Sequence, residues 1–208
     1  TNVPDPFGCH ASYAEHHEKE VEDIIPLVGV HPEFLYQYKK YHACVYKDHI
    51  VQALENTPII KKILDKYREE PLRKDWLPIS IFCDKCMKDT IKHIKYLENY
   101  YVEYSCECGN KEVIDFSKKG IVKLLWRVDW PMRWKFEGVD FEPGGKEHST
   151  VGGSYTTAKE IVREVWHQEP PIYHKYEFIS IKGKGGKISS SLGNEITLKD
   201  MLEIYEPD

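Results

Sequence analysis

Four cysteines stand in two close pairs, Cys83-Asp84-Lys85-Cys86 and Cys106-Glu107-Cys108, separated by nineteen residues. Stretches with strand character, Trp76 to Phe82 and Tyr100 to Tyr104, lead into the pairs and place the thiols on two strand-turn junctions. Four thiolates held that way can surround one tetrahedral zinc ion at Zn–S distances of ~2.3 Å, leaving no open position for a reacting molecule. Disulfides are the alternative use of the same residues; a cytoplasmic chain keeps its thiols reduced, which favours zinc. Cys9 and Cys44 fall outside the pattern and read as free thiols.

A second chemistry-bearing stretch runs from Ile181 to Asn194. Gly183, Gly185 and Gly186 let the backbone approach a ligand closely, Lys182, Lys184 and Lys187 supply positive charge, and Ser189, Ser190 and Ser191 supply donors. That composition suits a polyphosphate, although it contains no Walker pattern and also fits a flexible connector. Upstream, Trp126, Trp130 and Trp134 recur every fourth residue, a spacing that stacks side chains on one helical face, with Pro131 interrupting the pattern. Core packing and ligand contact are both open readings of these indoles. Asp140 to His148 carries acid, base and imidazole around Gly144-Gly145, where an α/β sheet places ligand groups. Gly152-Gly153-Ser154-Tyr155 then enters a helix through Trp166, with free N–H groups facing an anion.

The elements that must hold these groups are legible from periodicity. Tyr13 to Leu27 reads as a surface helix, and its neighbouring histidines His10, His16 and His17 as a solvated face. Pro32 to Tyr41, Lys47 to Glu55 and Pro58 to Glu70 read as helices, the last with the stripe Ile59, Ile60, Ile63 and Leu64. Ile121 to Val128 is an apolar run, and Tyr173 to Ile181 reads as a buried strand feeding the Gly/Lys/Ser loop. Thr197 with Asp200 resembles a helix N-cap.

At 208 residues and 41% hydrophobic composition the chain can bury a real core. A net charge of −5 and a pI near 6.1 argue against a generally basic nucleic-acid binder. No apolar run approaches the ~20 residues that span a bilayer, so the expectation is a cytoplasmic protein without a membrane partner. Both ends read as cut, and a fragment of a longer chain is expected.

Taken together these motifs resemble the class I, archaeal-type lysyl-tRNA synthetases over nearly the whole chain. The residues that carry the resemblance are Pro4-Asp5-Pro6-Phe7-Gly8-Cys9-His10 with Ser12-Tyr13 and His16, Trp126 to Trp134, Asp140 to His148, Gly153-Ser154-Tyr155, and Lys187 to Asn194. The resemblance implies an α/β fold, the Rossmann-like catalytic domain of class I synthetases, interrupted by a connective insertion of helices and a zinc-ribbon-like knuckle. Residues 1–30 and 121–208 would be catalytic domain and 31–120 the insertion. It further implies ATP-dependent activation of lysine to lysyl-adenylate and transfer to tRNA(Lys), with ATP and Mg2+ used in the reaction and structural Zn2+ on Cys83, Cys86, Cys106 and Cys108.

Lys187, Ser189, Ser190 and Ser191 would stabilise the leaving phosphates. For the substrate, Trp126, Trp130 and Tyr176 are candidate walls for the lysine methylenes, and Asp129, Asp140 and Glu177 candidate partners for its ammonium. His148 matches a family active-site histidine. Two departures stand out. The loop has Ile188 and Leu192 where the family pattern K-M-S-S-S-K-G-N has Met and Lys, and the H-I-G-H-type signature is absent from these residues. A fragment inactive by itself is the expectation, with a non-catalytic paralogue or a zinc-ribbon RNA-binding module as alternatives.

Overall fold

The computed structural model describes residues 3–177, 188 and 196–207. Contacts divide the chain into two units, Thr1–Tyr38 with Phe178–Asp208, and Lys39–Glu177.

In the first unit, helix α1 (Tyr13–Ile24) starts where Ser12 caps it, its hydroxyl accepting from the Glu15 N–H at 3.1 Å while the Glu15 carboxylate accepts from Ala11 N at 2.9 Å. The helix is shorter than the pattern to Leu27 predicts. Pro26 cannot donate to the preceding turn, so the backbone tightens to a 3-10 turn over Ile25–Val28 and ends at Gly29, φ 74°. Helix α2 (Gln37–His42), which crosses the boundary into the Lys39–Glu177 unit, begins five residues after Pro32, because no Ser, Thr, Asp or Asn precedes that proline to cap an earlier start. Near the C-terminus, Thr197 and Asp200 complete a capping box on the one-turn helix α7 (Leu198–Leu202), with reciprocal bonds of 2.8 and 3.2 Å. Lys187, Ser189, Ser190, Ser191 and Leu192 lie outside the described residues.

After most of α2, the second unit continues with α3 (Lys47–Glu55) and α4 (Thr57–Asp65), hinged at Asn56, which ends one helix and begins the next. Ile60, Ile63 and Leu64 are the buried face of α4. Strand β1 (Ile79–Ile81) pairs antiparallel with β5 (Val122–Leu124); the longer strand read from Trp76 to Phe82 shrinks to these three residues, the length of its partner. Between them, β2 (Ile91–Tyr96), β3 (Tyr101–Cys106) and β4 (Lys111–Asp115) form an antiparallel sheet in that order. After β5 come α5 (Trp126–Glu137), β6 (Phe141–Gly145), α6 (Ser154–Trp166) and β7 (Ile172–Tyr176). Strands β6 and β7 are parallel, in register from Phe141↔Ile172 to Gly145↔Tyr176, and a parallel pair needs a crossover, here α6.

The core of this unit lies where α6 packs on α5 and α4. Ala158, Ile161, Val162 and Val165 recur at helical spacing and are buried, together with Trp134, Met132, Ile60 and Tyr46. Pro131 sits inside α5 without ending it. Val128, Trp130, Met132 and Trp134 around it are buried, so packing offsets the one backbone bond that proline cannot donate. Strand β7 is largely exposed rather than buried, only Tyr173 being partly covered; the remainder of the run read as strand, from Phe178 to Ile181, lies outside the described residues.

Candidate functional site

The two cysteine pairs converge. Strand β1 ends into the first turn and β3 into the second, and each turn closes with two backbone bonds. Cys83 N donates to Lys88 O at 2.8 Å and Met87 N to Cys83 O at 2.8 Å; in the second, Cys106 N donates to Asn110 O at 2.9 Å and Gly109 N to Cys106 O at 3.0 Å. The residue after each second cysteine takes a positive φ, Met87 at 58° and Gly109 at 87°. The second turn is one residue shorter, which is why its cysteines are spaced C-x-C. Sulfur separations are 3.7 Å for Cys83–Cys108 and 3.6 Å for Cys86–Cys106, and all four sulfurs lie within 4.8 Å of one another. A tetrahedron with Zn–S bonds of ~2.3 Å has edges of about 3.8 Å, so the cluster fits one zinc ion. The thiols are free, not paired as disulfides.

Neighbours already favour thiolate at two of the four. Burial opposes ionisation of Cys83, but backbone N–H groups of Cys86 and Lys85 and the thiols of Cys108 and Cys106 bring it down to about 6. At Cys106, the Cys108 N–H and the Thr90 hydroxyl act in the same direction. Asn110 Nδ2 reaches Cys83 Sγ at 3.7 Å and Thr90 Oγ1 lies 3.5 Å from Cys106 Sγ, an outer layer that orients the sulfurs.

A second constellation forms between α5 and β6. Trp126 stacks on Trp130 with ring centroids 5.1 Å apart and planes at 15°, and Trp130 contacts Trp134 at 5.1 Å, so the every-fourth spacing does produce one aromatic ladder on α5. Trp126 is half exposed while Trp130 and Trp134 are buried. Glu142 on β6 holds the ladder: its Oε2 accepts from Trp134 Nε1 at 2.7 Å and from Trp130 Nε1 at 3.2 Å. The His148 ring stands edge-on to Trp130 at 5.5 Å, and Tyr155 lies between Trp134 at 5.6 Å and Tyr173, on which it stacks at 3.9 Å.

Close backbone approach locks this arrangement. A Cβ on Gly153, the residue that opens α6, would fall 2.4 Å from the His148 carbonyl oxygen, and one on Gly144 would fall 2.4 Å from the Tyr173 hydroxyl. That hydroxyl donates to Gly145 O at 2.9 Å. Arg127 donates to Gly152 O at 2.6 Å, tying the first turn of α5 to the entry of α6.

The structure separates the acids that sequence left unranked. Asp129 is buried, bonded to the Tyr41 hydroxyl and ion-paired with Arg133 one turn along, so its charge is matched inside the protein. Burial raises its pKa above the usual carboxylate range, against the opposing pull of Arg133 and Tyr41. Glu177 pairs with Lys146 at 2.5 Å and Asp140 is exposed at the start of β6. Tyr176 is half exposed at the end of β7. Glu142, inside the Asp140–His148 motif but not among the acids chosen from it, is the carboxylate placed against the aromatic ladder; it stands immediately before Pro143-Gly144-Gly145 on β6.

Comparison with known proteins decides the family. The family model described as tRNA synthetases class I (K) matches residues 1–208. The chain belongs to that family. It is 51% identical over 208 residues to a lysine–tRNA ligase of Borrelia garinii subsp. bavariensis, covering 100% of this chain and 40% of that protein. It is 45% identical over 210 residues to the lysine–tRNA ligase of Treponema pallidum and 43% over 211 residues to that of Pyrococcus horikoshii, again over 100% of this chain and 40% of each relative. The chain therefore spans about two fifths of the length of these curated relatives. As a class I synthetase chain it has the mixed α/β structure expected from the motifs. Among the described residues no helix is long and apolar enough to cross a membrane.

Proposed function

We propose that this chain carries the lysine-recognising part of a class I lysine–tRNA ligase, which activates lysine with ATP to lysyl-adenylate and transfers it to tRNA(Lys). The observation that supports this most directly is the Trp126–Trp130–Trp134 ladder held by Glu142, near the start of a strand in a parallel pair, with His148 beyond that strand's carboxyl end, in a member of this family. An aliphatic ammonium needs an apolar wall and an anion beyond it. Trp126 and Trp130 supply the wall and Glu142 the anion nearest to it. Asp129, matched by Arg133, serves as scaffold, and Asp140, Tyr176 and Glu177 lie towards the rim.

The β6–α6–β7 unit is read as part of the Rossmann-like catalytic fold, with residues 1–30 and 121–208 belonging to it and 31–120 as a connective insertion. The four-cysteine knuckle in that insertion is read as a structural zinc ribbon. ATP is bound with Mg2+, which neutralises charge on the phosphates, and Lys187 with Ser189, Ser190 and Ser191 is assigned by sequence to the same task. A cytoplasmic site of action follows from the reaction.

Calorimetric titration of the chain with lysine, with and without ATP, tests the pocket against arginine and glutamate. Lysine-selective heat that is lost in Trp130→Ala is expected. Absence of lysine-selective binding, or binding untouched by changes at both Trp130 and Glu142, would remove the pocket from these residues.

A further inference from the structure

Beside the four sulfurs, the two cysteine turns are joined by a second set of contacts that needs no ion. Its hub is the hydroxyl of Tyr104 on β3, a residue only 1% exposed. The hydroxyl donates to Glu112 Oε2 on β4 at 3.1 Å, and accepts from Asp84 N in the first turn at 3.1 Å and from Asn110 Nδ2 at the second at 3.0 Å. With one proton to give and two lone pairs to fill, its bonding is complete. The Lys119 ammonium closes a ring, donating to the other Glu112 oxygen, Oε1, at 2.5 Å and to Asp84 Oδ2 at 2.6 Å. From this geometry we infer that Asp84, Tyr104, Asn110, Glu112 and Lys119 form a clasp that holds the two cysteine turns together without metal, so that zinc enters and leaves a preassembled site.

The inference rests on reading the four cysteines as a zinc site and adds how that site is held. Small metal modules ordinarily fold only with the ion bound, because nothing else gathers the ligands. Here two features gather them independently. The hub is buried on the inner face of its sheet with Val102, Ile114 and Phe116, so little water competes for its three bonds and the core fixes their direction. Asn110 then links hub and sulfur: its Nδ2 also reaches Cys83 Sγ at 3.7 Å, while its carbonyl accepts from Cys106 N at 2.9 Å. One residue therefore touches the hub, a thiol of the first pair and the backbone of the second.

Lys119 is the exposed arm, its side chain 40% accessible, and a single ion pair at such a position contributes little. Its two carboxylates come from different elements, however, and one of them is already bonded to the hub, so the ammonium closes a circuit rather than adding an isolated pair. Clasp and ion thus perform the same task. Losing either should be tolerated and losing both should not, a coupling that an ordinary packing contact does not show.

Amide hydrogen exchange of the full chain, zinc-loaded and after chelation, tests the clasp in the parent, Tyr104→Phe and Lys119→Met. The equivalent of zinc missing from Cys106→Ser/Cys108→Ser identifies the metal of the knuckle. Loaded, the three proteins should protect the β2–β3–β4 sheet alike. Stripped, the parent should keep most of that protection while Tyr104→Phe loses on the order of tenfold, with Lys119→Met changing in the same direction. Zinc transfer to a chromogenic chelator should also be on the order of tenfold faster from Tyr104→Phe than from the parent. Lys119→Met, at an exposed position, carries the test if Tyr104→Phe does not fold. A stripped parent whose sheet exchanges as fast as the stripped variants would show that the ion alone assembles the knuckle and overturn the clasp. Equal loss of protection with and without zinc would reduce the ring to an ordinary stability contact, and overturn it as well. If Cys106→Ser/Cys108→Ser lacks no metal relative to the parent, the zinc reading fails by itself, and comparison of the metal-free proteins still decides the clasp.

Discussion

Replacing Arg133 with Met should destabilise the Lys39–Glu177 unit in a pH-dependent way, and the size of the effect follows from what surrounds Asp129. The carboxylate is 4% exposed as a residue and meets three groups: Arg133 on its own helix, the Tyr41 hydroxyl from α2, and the more distant Lys123 ammonium on β5. Removing one partner of a buried pair costs about 3–5 kcal/mol because the other charge is stranded. The Arg133 side chain is 27% exposed, so water screens part of the pair and about 2–3 kcal/mol is the expected loss at pH 7.

The sign with pH is set by Asp129. Its folded pKa is already raised, burial outweighing the attraction of Arg133, and deleting that cation raises it further. A carboxyl whose folded pKa exceeds its unfolded value binds more protons folded than unfolded between the two, so stability falls as pH rises through that window. At ~1.4 kcal/mol per pH unit for one proton, the gap between Arg133→Met and the parent should close over roughly two units on acidification. Asp129→Asn keeps an acceptor for Tyr41 and removes the stranded charge, so in the Arg133→Met background it should recover most of the loss. Urea unfolding of all four proteins between pH 5 and pH 8 measures this. A loss below about 1 kcal/mol for Arg133→Met, or one that stays flat across that range, would refute the reasoning that Asp129 is a scaffold acid held by Arg133.

Other consequences concern the ladder and the helix behind it. Glu142→Gln keeps an acceptor for the two indoles but removes the charge, and should weaken lysine binding by about 2–5 kcal/mol with little change in unfolding midpoint; calorimetry and urea titration separate the two. Gly153→Ala should lower stability and displace His148, because the new methyl meets a backbone carbonyl rather than a movable side chain, and changed near-ultraviolet dichroism of the adjacent tryptophans should report it. Ile161→Ala, at a fully buried position on α6, should cost about 2–5 kcal/mol in urea unfolding with metal content unchanged.

Where periodicity was strong, sequence located the elements closely. Helix α3 has the bounds read from Lys47 to Glu55, and the tryptophan spacing did place three indoles along α5 despite Pro131. The cysteine spacing likewise located a convergent set of thiols, because two similar strand-turn junctions need few residues to specify them. Elements whose limits depend on partners were less legible. The short β1 takes the length of β5, and the exposure of β7 depends on what packs over its faces, neither of which a local pattern encodes.

The same distinction governs the candidate site. Asp129, in the tryptophan stretch, looked available to a ligand until the Tyr41 and Arg133 contacts placed it in an internal pair; Tyr41 is 88 residues away in sequence. Glu142 carried no signal of its own, since its role depends on two indole N–H groups delivered from another element. His10 and His16 read as part of a solvated face because His16 and His17, adjacent on a helix, point in different directions. Their convergence with Cys9, each Nδ1 lying 3.2 Å from its sulfur, depends on Asp5 folding the preceding loop back by three backbone bonds. Residue types are therefore visible in the chain before their partners are, and a charged or metal-binding side chain acquires a role only when the fold shows which charges it faces. For Asp129 that condition argues for scaffolding, and for Glu142 it argues for substrate contact, although both are carboxylates beside the same tryptophans.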